Sequence, residues 1–444
     1  MLRRIAIGLI SVGAVTSIGV VLWVATHRSD LPAPNDSDLD APSPAVAADE
    51  DGYQYLQRAA GSAKLTFEKS ERVRAILRGA EPDAPWAARL VEANRPAFRE
   101  LERAIAAPAI VVPDPVVVFQ SHAVDPMLTV QMLVQLAALD ARQHLRAGDP
   151  DGALAASRLG LRLGASLGRA QRPGVGPISA MFALTFENIS LRALDEILRA
   201  RLGDAQAALE LSRELDSYRL TTSAWQGVWF GEYQSRKALL EKIRVPRPDP
   251  ILTGELSVSR HVLGALPDGF LWQPNRTLAE FAAFYRGYAA AFSGPCRPET
   301  RASLVPSGNG EKRQLLLAML HGNALGAVLT SLLSVNFERL NTRRCHTEAR
   351  LSLAQALVAL EAYRAAEGQL PDSLEALVPR YLDRVPTDAF GGQSLRFDRA
   401  RGLVYSVGSD FAPTTGESAP SPEDQLEPAS YVSPPAPADP GTDR

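Results

Sequence analysis

Lysine, aromatic residues, cysteine and catalytic signatures are all scarce in this chain. Among 47 basic residues only Lys64, Lys69, Lys237, Lys242 and Lys312 are lysines, and the formal net charge is -3. That balance excludes a general attraction to nucleic acid, so no nucleic-acid partner is expected. An arginine bias of this kind fits a GC-rich bacterial genome better than a phosphate-binding patch, which would cluster on one face. Aromatics are 7% of the residues while hydrophobic residues reach 46%, so any core must rest on Ala, Leu and Val. No HExxH, GxSxG, Walker A loop or GxGxxG after a strand occurs. Six histidines, His27, His122, His144, His261, His321 and His346, are scattered without metal-ligand spacing. The segment "GNGEKR" at 308–313 lacks the preceding strand of a phosphate loop and reads as a loop leading into a helix. The chain is therefore not expected to be an enzyme. Only two cysteines, Cys296 and Cys345, are present, in no CxxC or metal spacing. If the body lies outside the cytoplasm they could form one disulfide; the alternative is two unpaired thiols.

What the sequence does have is one uncharged run, Ile5 to Thr26, matching the roughly 20 residues that cross a bilayer as a helix. Arg3 and Arg4 precede it, and Asp30, Asp36, Asp38 and Asp40 follow it. The positive-inside rule then predicts a bacterial inner-membrane, single-pass protein with a cytoplasmic N-terminus and a periplasmic or otherwise extracytoplasmic body. A cleaved signal peptide is the alternative, but its apolar region spans roughly 7–15 residues, and "WVATHR" is a poor cleavage site.

Fold class is expected to be mainly α: an N-terminal transmembrane helix, an antiparallel helical-hairpin bundle and a small C-terminal α+β module with a β-hairpin. The boundaries read as a membrane anchor at 1–28, a disordered, Pro- and Asp-rich tether at 29–50, a helical domain at 51–342, the α+β module at 343–417 and a disordered tail at 418–444. Gly148-Asp149-Pro150 and Gly203-Asp204 mark helix-to-helix turns, because Gly ends a helix and Asp then Pro opens the next. These turns lie 55 residues apart, against a period of about 34 for tetratricopeptide repeats, so a generic bundle or irregular solenoid is expected. Prolines break the helical pattern over 244–276, and Thr277 with Glu280 has the capping-box spacing that would restart it. The apolar stretch 315–335 is long enough for a second span, yet His321 and Asn323 would be costly in lipid, which favours a buried helix. Glu187 and Asn188, on an apolar helix, and Glu232, among aromatics, are candidates for an acid or base with a raised pKa. The competing reading is a polar residue bonding across helices.

In the C-terminal module, Leu353, Leu357, Leu360 and Tyr363 form one helical stripe capped by Gly368. Asp372 with Glu375 would cap a short helix, and "SLRFD" and "LVYSV" alternate as strands around a four-residue loop. The stretch "ALEAYRAAEGQLPDSLEALVPRYLDRVPTDAFGGQSLRFDRARGLVYSVGSD", within about 347–417, resembles the C-terminal globular part of type II secretion major pseudopilins. Shared features are AYR, an acidic residue and Gly, then LEALV, then Pro, Asp, an aromatic and Gly, and a closing YSxGxD. The resemblance implies an extracytoplasmic setting. Gly13 stands where the pseudopilin glutamate would be, and a long helical stretch separates the module from the N-terminal run, so processing as a pilus subunit is not implied. By the same resemblance Asp410, Thr415 and Glu417 fall on positions that bind calcium in that family, and oxygen ligands suit Ca²⁺; otherwise Asp410 caps a turn and Glu417 is solvated. The functional expectation is a membrane-anchored binding or scaffolding component of the bacterial envelope, with an envelope protein as partner. The alternatives are an envelope hydrolase with a carboxylate site in the helical domain and a calcium-binding accessory of a secretion system.

Overall fold

The computed structural model describes residues 30–40, 47, 50–81, 85–112, 125–169, 176–199, 205–243, 272–296, 323, 326, 329–330, 338–408 and 431–432. The chain divides into two units. The larger holds Ala41–Glu232, Ala289–Ala302 and Phe337–Arg444, and the smaller Met1–Asp40, Tyr233–Tyr288 and Ser303–Asn336. Helices dominate the described residues, with few strands.

Gly148 shows how sequence sets the larger unit. Its φ of +75° is readily accessible to glycine, and it ends α5 (Asp125–Arg146). The Asp149 carboxylate then accepts the Gly152 N–H at 2.9 Å, capping α6 (Pro150–Arg169), which opens on proline as expected. The expected Gly203-Asp204 turn lies outside the described residues, between α7 (Pro177–Arg199) and α8 (Ala205–Ser217). Helices α5, α6 and α7 pack against one another. A Cβ at Gly160 would sit 2.3 Å from Ser190 Oγ, and one at Gly164 2.6 Å from Glu187 Cγ and 2.8 Å from the Ala183 carbonyl. Glycine at both positions therefore lets α6 and α7 approach more closely than any larger residue would allow.

Four shorter helices, α1 (Tyr53–Ser62), α2 (Phe67–Leu77), α3 (Pro85–Ala93) and α4 (Arg95–Ala106), cover α5 and α6. Their apolar stripes bury Leu56, Ile76, Leu90 and Leu101 against Leu133 and Leu136. At about 2 kcal/mol per fully buried large aliphatic side chain, this cluster is a main source of their stability, since helices this short are marginal alone.

The second core cluster spans the expected domain boundary at 342/343. Helix α11 runs unbroken from Glu338 to Glu367 across that point and packs on α7 and α8. Its Leu353, Leu357 and Leu360 share one buried cluster with Leu194, Leu211, Leu374, Leu377, Leu395 and Val404. Helical domain and α+β module thus have a common core and are not separate bodies. Gly368, at φ +76°, ends α11 as expected. Beyond it Leu374–Leu377 forms a 3-10 turn rather than a helix opened by Asp372. Ser373 is the N-terminal residue, its hydroxyl bonds Glu375, and Asp372 pairs with Arg399 at 2.9 Å instead. The hairpin is present, with β1 (Arg396–Asp398) antiparallel to β2 (Leu403–Tyr405), Phe397 opposite Val404, and β2 against α11. A third strand, β3 (Tyr431–Val432), pairs antiparallel with β2. These two residues fall in the tail expected to be disordered, and the rest of that tail lies outside the described residues.

Part of α9 (Thr222–Ile243) and of α10 (Pro274–Phe292) belongs to each unit. In the smaller unit, residues 30–40 depart from the expected solvated tether. Asp30 accepts the Asn275 and Arg276 N–H groups at 2.9 and 3.0 Å, Asp36 binds Tyr233 and Lys237, Asp38 binds Arg286, and Leu39 is fully buried. The acids that looked solvating in sequence have basic and phenolic partners on α9 and α10. This also displaces the expected capping box: α10 begins at Pro274, Asp30 serves its first N–H groups, and Thr277 turns inward to the Gln273 carbonyl and Asn323. Asn323, from the apolar stretch 315–335, is buried and accepts the Gln273 N–H at 3.0 Å; most of that stretch lies outside the described residues. Among the described residues no helix is long and apolar enough to cross a membrane; the run at 5–26 lies outside them.

Candidate functional site

Helix α11 carries a polar stripe beside its apolar one. Asn341, Arg344, Glu348, Ser352 and Gln355 recur at intervals of three or four residues and therefore share a face. Arg344 is buried, and its guanidinium bonds Asn341 Oδ1 at 3.1 Å, Glu348 at 3.2 Å and the Gly294 carbonyl at 3.0 Å. It also reaches the sulfur of Cys296 and lies over the Phe292 ring. Cys296 and Cys345 are joined in a disulfide within this network. The Cys296 N–H donates to the Ala389 carbonyl at 2.9 Å, so the bridge, α11 and the 386–395 turn meet at one point.

Facing this stripe from α7 are the two residues singled out in the sequence. Glu187 is buried, with no hydrogen-bond partner on Oε1 among the described residues. Burial, and secondarily the charge of Glu348, pushes its carboxyl well above the usual carboxylate range. Its side chain fills the space left by Gly164. The Asn188 amide donates across helices to the Thr347 hydroxyl and, within its own helix, to the Leu184 carbonyl. Glu232 is also buried, on α9, away from this seam in sequence. His346 sits edge-on to Phe390, its rings 5.1 Å apart, and burial, with Arg350 nearby, lowers its pKa to about 4.

The seam ends in a cleft of about 350 Å³ lined by Asp216, Arg219, Gln355, Asp383, Arg384, Pro386 and Thr387. Arg219, just past the end of α8, forms its wall, donating to Asp216 at 3.2 Å, Ser352 at 3.0 Å and Gln355 Oε1 at 3.1 Å. Burial lowers the pKa of this guanidinium, against the opposing pull of Asp216 and Glu348. Asp383 and Arg384 are exposed at the rim. Behind the rim, Ser352 donates to the Thr387 carbonyl, and the buried Asp388 accepts from Phe390 N–H, Ser406 Oγ and Val407 N–H. Asp388 is therefore the fastener between the turn and the hairpin.

The lining of this cleft includes neither Glu187, Glu348 nor His346, so the candidate acids and the described cavity do not converge. Arg219, Gln355 and Arg384 escaped the sequence reading because they lie on three elements. Only the regular polar interruption of α11 gave a signal. Asp410, Thr415 and Glu417, the suggested calcium ligands, lie outside the described residues, as do "GNGEKR" and His27, His122, His261 and His321. Among the described residues no group of three or more His, Cys, Asp or Glu is placed to hold a metal ion. Comparison of the chain with protein-family models, curated proteins and solved structures gave no match in any of the three.

Proposed function

We propose that this protein is a single-pass, membrane-anchored component of the bacterial envelope whose helical body lies outside the cytoplasm and acts by binding or scaffolding. The observation that carries the reading is the buried Cys296–Cys345 disulfide, because disulfides persist chiefly in oxidising compartments. The uncharged run at 5–26, basic before and acidic after, supports the same orientation. Antiparallel hairpins offer extended surfaces for peptides or helices, and the pseudopilin resemblance of the C-terminal module fits an envelope home. The hydrolase alternative needs a reachable acid pair. Glu187 is buried and does not line the described cleft, so this is the weaker reading. The calcium-binding accessory rests on the sequence resemblance alone.

C-terminal fusions in a bacterial host test the reading. Alkaline phosphatase, active only outside the cytoplasm, should be active and a cytoplasmic fluorescent reporter dark. The reverse pattern would overturn the orientation and with it the proposal.

A further inference from the structure

The cleft of the larger unit has an excess of donors. Arg219 engages Asp216 through Nε and both Ser352 and Gln355 through Nη2, leaving Nη1 with no bond to a described residue. A guanidinium only donates, so Gln355 must present its oxygen to Arg219. The Gln355 amide N–H₂ then remains for the cleft. Arg384 makes no hydrogen bond or ion pair to a described residue, and its charge lies close enough to act unfavourably on Arg219. Thr387 gives its carbonyl to Ser352 and keeps its hydroxyl. Of the two acids, Asp216 is engaged by Arg219, and Asp383 is at the exposed rim.

We infer that this cleft binds a small oxyanionic ligand, a carboxylate or a phosphate, between Arg219, Gln355 and Arg384. An oxyanion supplies the acceptors these donors lack and relieves the repulsion between the two guanidiniums. The volume, about 350 Å³, suits a small molecule and not a folded partner. The inference concerns the larger unit alone and stands whether or not the membrane reading does.

The experiment uses the full-length protein in detergent, titrated by calorimetry with citrate and separately with inorganic phosphate at fixed ionic strength. Saturable one-to-one binding of either supports the site, and which of the two binds identifies the group. Arg384→Ala should weaken binding by about tenfold or more, as loss of a charge-assisted hydrogen bond does. Asp383→Asn should tighten it by removing an opposing charge. Both residues are exposed, so neither change threatens folding. Failure of both anions to saturate, unchanged affinity in Arg384→Ala, or weaker binding in Asp383→Asn would overturn the site.

Discussion

Acidification should act on this fold through His346. The imidazole is 3% exposed, packed against Phe390 and beside the Arg350 cation. These surroundings take its pKa from 6.5 to about 4, and burial is the larger cause. The unfolded chain therefore binds a proton more readily than the folded one. Its contribution to stability is fully present above pH 6.5 and lost as pH falls through about 4. At about 1.4 kcal/mol per pH unit, the loss from this one side chain is about 3 kcal/mol. Other groups titrate over the same range, so the informative quantity is a difference between two proteins. Urea-unfolding midpoints of wild type and His346→Leu, measured from pH 7 to pH 4, should diverge, wild type losing about 3 kcal/mol more. Parallel loss in the two proteins would refute the placement of a neutral, sealed imidazole beside the disulfide.

Gly164→Ala should destabilise the larger unit by about 1–2 kcal/mol in thermal unfolding, even though alanine favours helix by about 1 kcal/mol, because the new Cβ would meet Glu187 and the Ala183 carbonyl. Replacing both cysteines by serine should cost about 4 kcal/mol, from the 49-residue separation that the bridge closes; unchanged denaturant stability would contradict this. Asp388→Ala strands two backbone N–H groups and the Ser406 hydroxyl, and should cost about 3 kcal/mol and speed amide exchange at Val407 and Phe390.

Local chemistry was legible where neighbours in sequence decide it. Gly148-Asp149-Pro150, the Gly368 cap, the Leu353–Leu357–Leu360 stripe and the Arg396–Tyr405 hairpin all follow from short-range rules. Features decided by distant partners were not legible. Asp30 caps a helix that begins at Pro274, so the nearby Thr277 and Glu280 signal misplaced its start. The acids of 30–40 read as a solvated tether because their cations, Lys237 and Arg286, come some 200 residues or more later. The boundary at 342/343 followed a change of pattern, yet α11 is helical on both sides of it and buries one stripe against two layers. The cleft was hidden for the same reason: Arg219, Gln355 and Arg384 converge only once α8, α11 and the 383–387 turn share a core. The polar residues spaced along α11 were its sole trace in the sequence.

The central claim, an envelope protein whose body folds in an oxidising compartment, is tested most directly by the redox state of Cys296 and Cys345 in cells. Acid-quenched cells expressing the full chain would be treated with a maleimide-polyethylene glycol reagent under denaturing conditions, with and without prior reduction. No adduct is expected before reduction and two afterwards, these two being the chain's only cysteines. Two adducts without reduction would place the pair as thiols in a reducing compartment and contradict the claim.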